Sequence, residues 1–275
     1  MNRSLIDAAL AEDIGTGDVT SRYFIPSDQR GRASIVARQR LVVSGLEPAS
    51  GVFASIDPAV RLTPSARDGD GREPGAPILE AEGAVRSLLA AERIALNFLQ
   101  HLSGIATATR RFVDAVAGTR AVILDTRKTL PGWRALEKEA VRHGGGHNHR
   151  IGLHDAVLVK DNHIAAARAA GLDLGAIVGR VRAENPGMPV QFEADTLDQV
   201  REFVAMGVDA ILLDNMSLDE LRRAVAIVGG RCRTEASGGI TLETVRAVAE
   251  TGVDSISVGA LTHSSPAADI SMELG

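Results

Sequence analysis

Six short apolar runs in this sequence each end on residues equipped for chemistry: Asp125-Thr126-Arg127-Lys128, Lys160-Asp161-Asn162-His163, Glu193, Asp214-Asn215, Ser237-Gly238-Gly239 and Gly259-Ala260. Arginine forks suit planar carboxylates and phosphates, and lysines supply compact positive charge. Carboxylates such as Glu193 and Asp214 can hold a magnesium ion or stabilise a developing cation. Glycines at 238, 239 and 259 leave backbone N–H groups open to a phosphate. Singly, each residue also fits a solvated turn or a strand-end cap. Their recurrence at equivalent points favours a common site.

Charge sharpens that expectation. Between Arg120 and Lys160, eight Lys or Arg stand against four carboxylates, in a chain whose formal net charge is −5. A local positive excess of this kind attracts anions. The stretch RHGGGHNHR (142–150) lies inside it, and three consecutive glycines directly before a His and an Arg indicate a site where backbone must turn or approach closely. His143, His147, His149 and His154 lack the Cys partners or the helical Glu motif of a zinc centre. Arg93 sits in a mostly apolar helical stretch with Leu89, Ala90, Leu96 and Asn97 as its neighbours three and four residues away. Having no acidic partner on its own helix, it needs a core ion pair or an anionic ligand.

The elements that must position these groups follow from periodicity. The runs are AVILDT (121–126), AVLVK (156–160), PVQFEA (189–194), DAILLD (209–214), RCRTEAS (231–237) and DSISVG (254–259), with amphipathic helix patterns between them. Thr196 with Gln199 and Ser217 with Glu220 are capping-box signatures that open two of those helices. Repeated βα units imply a parallel sheet, either a doubly wound sheet or a βα barrel. No Gly-x-Gly-x-x-Gly follows the first run, and polar residues end nearly every run, which favours an incomplete barrel with its site at the C-terminal ends of the strands.

Residues before about 87 read differently. Short runs such as RASIVA (32–37), LVVSGL (41–46) and APILEA (76–81) are separated by turn signals, predicting a small mixed domain. RDGDGREPG (67–75) reads as an exposed turn rather than a calcium loop, since the closing Glu is missing. From Leu88 a long apolar helix is expected. The length and 45% hydrophobic composition allow a substantial core. The acidic balance argues against nucleic-acid binding and membrane-surface attachment, and no run approaches a membrane span. A single cysteine, Cys232, suits a reducing, cytoplasmic setting.

Several blocks resemble a known family. ERIALNFLQHLSGIAT (92–107), DTRKTLPGWRALEKEAV (125–141), GGGHNHRIGLHDAVLVKDNHI (144–164), LLDNM (212–216), EASGGI (235–240) and SVGALTHS (257–264) resemble the quinolinate phosphoribosyltransferases, type II phosphoribosyltransferases, and EDIGTGDVTS (12–21) is similar to their N-terminal signature. The resemblance implies an α/β fold: an N-terminal α/β sandwich (1–102) plus an incomplete parallel, TIM-like α/β barrel (103–263), with the tail 264–275 able to pack back on the sandwich. It implies transfer of phosphoribosyl from phosphoribosyl pyrophosphate to quinolinate with Mg²⁺ and decarboxylation, in a homodimer or higher oligomer with shared active sites. By motif, Arg93, Arg127, His149 and Arg150, with Lys160, would meet the quinolinate carboxylates. Lys128, Lys160, Glu193 and Asp214 would surround the ribose, pyrophosphate and metal, and Ser237, Gly238, Gly259 and His263 the 5′-phosphate. Gly144 to Gly146 would let the loop fold over the cleft. Gln191 stands where the family often carries a further acid, and His147 and His154 fall at variable positions. A nicotinate-specific enzyme and a non-catalytic, molybdate-transport-associated relative are the alternatives.

Overall fold

The structure, a computed structural model, describes residues 3–275. Its elements begin with α1 (Arg3–Ile14), α2 (Val19–Phe24), β1 (Arg30–Ala37), β2 (Leu41–Val42), α3 (Leu46–Ile56), β3 (Arg61–Pro64), β4 (Gly71–Arg72), β5 (Pro77–Ala84) and α4 (Val85–Ala115). Next come β6 (Val122–Leu124), α5 (Arg134–His143), β7 (Val157–Val159), α6 (Asp161–Ala169), α7 (Leu174–Glu184), β8 (Val190–Ala194) and α8 (Leu197–Ala205). The remainder holds β9 (Ala210–Asp214), α9 (Leu218–Val228), β10 (Arg233–Ser237), α10 (Val245–Ala249), β11 (Ser255–Ser257), α11 (Ala260–His263) and β12 (Ile270–Leu274). They form two units. One combines the chain up to Arg110 with Leu130–Gly145 and Leu261–Gly275; the other combines Arg111–Thr129 with Gly146–Ala260.

The first unit is built on an antiparallel sheet of order β12-β1-β5-β3. Strand β12 returns from the chain's end to pair with β1, from Ala33↔Leu274 to Ala37↔Ile270. Ile35, Ile78, Leu79 and Ala81 of this sheet join Val52 and Phe53 of α3 and Leu88, Ala95 and Leu99 of α4 in one core. The opposite face is polar, with Arg32 and Arg61 both paired to Glu82. The run 41–46 does not make a single strand. It stops after Val42, and Gly45 adopts a left-handed φ of 104°, where a Cβ would come within 2.9 Å of Leu102. Asp68, from the turn at 67–75, accepts a hydrogen bond from Leu46 N at 3.2 Å at the start of α3.

The second unit carries a parallel sheet of order β6-β11-β10-β9-β8-β7. Phe192, Ile211, Leu213, Ala236 and Ile256 are buried, and Phe192 packs its ring on Phe203 of α8 with centroids 4.9 Å apart. The alternate residues Leu158, Glu193, Leu212, Glu235 and Ser257 line one cleft together with Thr126 and Arg127, which follow β6. A cleft bordered by every strand, including both edge strands β6 and β7, requires the sheet to curl, and β6 and β7 do not pair with each other. The result is an incomplete barrel. The helices begin where their sequences signal: Thr196 with Gln199 and Ser217 with Glu220 form reciprocal capping boxes on α8 and α9.

Candidate active site

Side-chain alternation explains why the site is polar at its rim. A residue two positions beyond an inward-facing one points the same way, one step nearer the strand's C-terminal end. Thus Leu158 is followed by Lys160, Leu212 by Asp214, and Glu235 by Ser237, all lining a cleft of about 400 Å³. Arg127, Lys128, His149, Arg150 and Glu193 also line it. Lys160 Nζ donates to Glu193 Oε2 at 2.9 Å, joining β7's end to β8. Asp214 Oδ2 accepts from Asn215 Nδ2 at 2.7 Å.

The stretch after α5 is pinned rather than loose. His147 bridges to β6, donating its N–H to Ile123 O at 2.8 Å and accepting from Asp125 N at 3.1 Å. The fully buried Asp125 carboxylate then accepts the His149 backbone N–H at 2.8 Å. Asp155 accepts from Ile151 N at 2.6 Å and Gly152 N at 2.9 Å; burial raises its pKa, but these bonds outweigh it and hold the carboxyl below the ordinary range. Arg150 Nη1 reaches Ala156 O at 3.3 Å. Burial, and after it the Arg127 guanidinium, depress the Arg150 pKa, with Asp155 opposing them. Guanidinium forks from Arg127 and Arg150 on one cleft have the geometry that can receive a carboxylate or phosphate.

Glycine has another role here than the sequence suggests. A Cβ on Gly144 would meet Ala106 O and Thr109 Cβ, each at 2.5 Å, so Gly144 permits close packing of α5's end within the first unit. Gly145, with φ of 91°, stops the helix. Gly238 is equally constrained: at φ of 100°, its Cβ would fall 2.1 Å from Asn215 Oδ1.

Among the residues expected at the site, Arg127, Lys128, His149, Arg150, Lys160, Glu193, Asp214 and Ser237 border one cleft. Gly238 continues from Ser237, and Gly259 lies just past β11. Arg93, on α4, and His263, whose Nδ1 shares a hydrogen bond with Ser264 Oγ at 2.6 Å, are exposed and belong to the first unit. The charge excess of the 120–160 stretch does not all reach the cleft. Arg120 pairs with Asp254, while Arg134, Lys138 and Arg142 ride on α5 in the first unit. Four Lys or Arg and three carboxylates line the cleft, so its field is mixed.

Reasoning from strand ends alone misses Glu235 and Ser257, which line the same cleft from within their strands. Glu235 is buried on β10; its Oε2 accepts from Gln191 Nε2 at 2.9 Å and faces His149 Nε2 at 3.4 Å. Burial pushes its pKa up, but the His149 ring and the Gln191 amide that face it win, leaving it below the ordinary carboxyl value. A signal for it exists in the sequence: Glu235 stands two residues before Ser237, on the same strand face.

A family model described as "Quinolinate phosphoribosyl transferase, C-terminal domain" matches residues 105–273, and one for the N-terminal domain of the same family matches residues 18–103. The chain belongs to the quinolinate phosphoribosyltransferase family. A Bacillus subtilis member named as a probable nicotinate-nucleotide pyrophosphorylase (carboxylating) is 42% identical, with 99% of this chain and 93% of that protein covered. The Arabidopsis thaliana chloroplastic nicotinate-nucleotide pyrophosphorylase (carboxylating) is 41% identical, covering 99% of this chain and 82% of that protein. The solved nicotinate-nucleotide pyrophosphorylase of Francisella tularensis superposes with a TM-score of 0.93 at 39% identity, covering 100% of this chain and 96% of that one.

Proposed function

We propose that this family member transfers phosphoribosyl from phosphoribosyl pyrophosphate to quinolinate with loss of one carboxyl group, giving nicotinate mononucleotide, pyrophosphate and carbon dioxide, a step of NAD biosynthesis. The observation that carries the reading is the joint placement of Arg127 and Arg150 beside Lys160 and the carboxylates Glu193 and Asp214 in one cleft, in a chain with full-length relatives of that name. Paired guanidinium groups receive a planar dicarboxylate, while the carboxylates address a sugar cation. A monocarboxylate such as nicotinate would leave one of the crowded cations unmatched, which costs a few kcal/mol.

In the reaction the pyridine nitrogen forms a bond to the anomeric carbon as the bond to pyrophosphate breaks. Positive charge develops on the ribose, which Glu193 or Asp214 stabilises from the rim; Lys128 and Lys160 stabilise the charge of the departing group. The positive charge of the alkylated ring nitrogen then stabilises the electron pair left on the adjacent ring carbon when carbon dioxide departs, and that pair takes up a proton from water in place of the lost carboxyl group. Glu193 and Asp214, on neighbouring strands, are the residues that would hold Mg²⁺, a cation that binds one or two carboxylates and completes its shell with water and phosphate oxygens. Bound there, it would offset negative charge on the pyrophosphate. Ser237, Gly238, Gly259 and His263 are assigned to the 5′-phosphate. Arg93 is assigned to the quinolinate site of the second subunit in a homodimer. Among the described residues no helix is long and apolar enough to cross a membrane, and the free thiol of Cys232 suits the reducing cytoplasm.

Offering quinolinate and nicotinate separately, each with phosphoribosyl pyrophosphate and Mg²⁺, tests the reading. Quinolinate alone should yield nicotinate mononucleotide and carbon dioxide. Robust turnover of nicotinate, or none of either, would overturn it.

A further inference from the structure

We propose that Gln191, Glu235 and His149 form a positioning chain that fixes the backbone carrying Arg150, with Glu235 as its central member. His149 is held at three points. Its backbone N–H is anchored on the buried Asp125 at 2.8 Å, its ring Nδ1 accepts the Arg150 N–H at 2.8 Å, and its Nε2 faces Glu235 Oε2 at 3.4 Å. A nitrogen that accepts a backbone N–H carries no proton, so Nδ1 is bare and the ring proton resides on Nε2, aimed at Glu235. Both ring nitrogens are thereby engaged inside the protein. His149 thereby sets the direction of Arg150 in the cleft.

For this to work Glu235 must present an acceptor in a fixed place. Buried on β10, it is held by Gln191 Nε2 at 2.9 Å, which reaches it from β8 on the far side of β9. This gives the amide at position 191 a purpose. A glutamate there would set a second carboxylate against Glu235, and the two could remain buried only by sharing a proton. Gln191 instead donates, leaving Glu235 able to accept from His149.

Turnover by purified variants tests the chain; it uses the quinolinate reaction proposed above, and a ring-nitrogen measurement stands apart from that reading. Glu235→Met removes the acceptor at nearly constant volume. It should raise the KM for quinolinate at least about tenfold and leave the KM for phosphoribosyl pyrophosphate within about twofold. Glu235→Gln, whose amide oxygen can accept from both partners, should recover most of the loss. In a His149→Ala background, Glu235→Met should add less than about twofold, because it acts through the ring. An unchanged quinolinate KM in folded Glu235→Met, or effects that multiply fully in the double variant, would overturn the proposal. If Glu235→Met does not fold, ¹⁵N spectra of the wild-type histidine rings decide. His149 protonated at Nε2 with Nδ1 bare is the expected signature; a proton on Nδ1 overturns the chain. Wild-type protein that shows the expected His149 signature yet ignores quinolinate would sink the functional reading alone.

Discussion

Lys160 and Glu193 illustrate how a contact can matter to chemistry and little to folding. Their ion pair is short; the Glu193 carboxylate is buried, but the Lys160 side chain is 48% exposed, and water reaching the ammonium screens the pair. Lys160→Ala and Glu193→Ala should therefore each lower kcat/KM by at least about a hundredfold, the usual loss for a charged group acting on a transition state. Thermal melts should shift by only a few degrees. Near-normal turnover in both folded variants would place the chemistry elsewhere. Glu235 adds a pH dependence, since it is buried and its folded-state pKa is depressed. Its stabilisation is fully present above the ordinary carboxylate range and is lost as pH falls through the folded value. Urea midpoints should accordingly drop on the acid side, and Glu235→Gln should make that slope shallower. An acid slope identical to wild type in Glu235→Gln would contradict the depressed value.

Among the elements, two glycines separate packing from propensity. Gly144 ends α5 where an added methyl would strike Ala106 O and Thr109 Cβ at 2.5 Å. Gly144→Ala should cost about 1–3 kcal/mol, the range for overpacking. Gly179 lies within α7, and an added methyl there would meet nothing within 4 Å. Gly179→Ala should stabilise by about 0.5–1 kcal/mol through helix propensity. Chemical denaturation of the two variants measures both signs, and a neutral Gly144→Ala would mean that α5's end yields readily. The helices themselves are legible because their signals are local. Thr196 and Ser217 announce α8 and α9 through reciprocal caps that need no tertiary partner.

At the scale of the whole molecule the test concerns Arg93. It is exposed on α4 and makes no hydrogen bond or ion pair among the described residues. If it serves a second subunit's cleft, Arg93→Ala and Lys160→Ala proteins should be inactive alone and regain activity when refolded together. Random pairing makes half of the dimers mixed, and each mixed dimer holds one intact site, so roughly a quarter of wild-type activity should return. No recovery, with mixed dimers confirmed by mass, would show that Arg93 acts within its own subunit or not at all.

Sequence determined whatever depends on neighbours along the chain. Six β-runs ending in polar residues, the capped helices between them and the long apolar helix α4 are readable because periodicity and capping are local. Convergence of Arg127, Lys160, Glu193 and Asp214 could be expected as well, since parallel strands bring their C-terminal ends to one face. Tertiary structure alone decided which charges reach that face. Arg134, Lys138 and Arg142 went with α5 to the first unit, and Gly144 serves helix packing. It also decided that His149, Gln191 and Glu235, carried by three separate stretches of the chain, meet inside the barrel. Such meetings depend on sheet order and curvature, which come from packing the whole barrel and leave no mark at any one position.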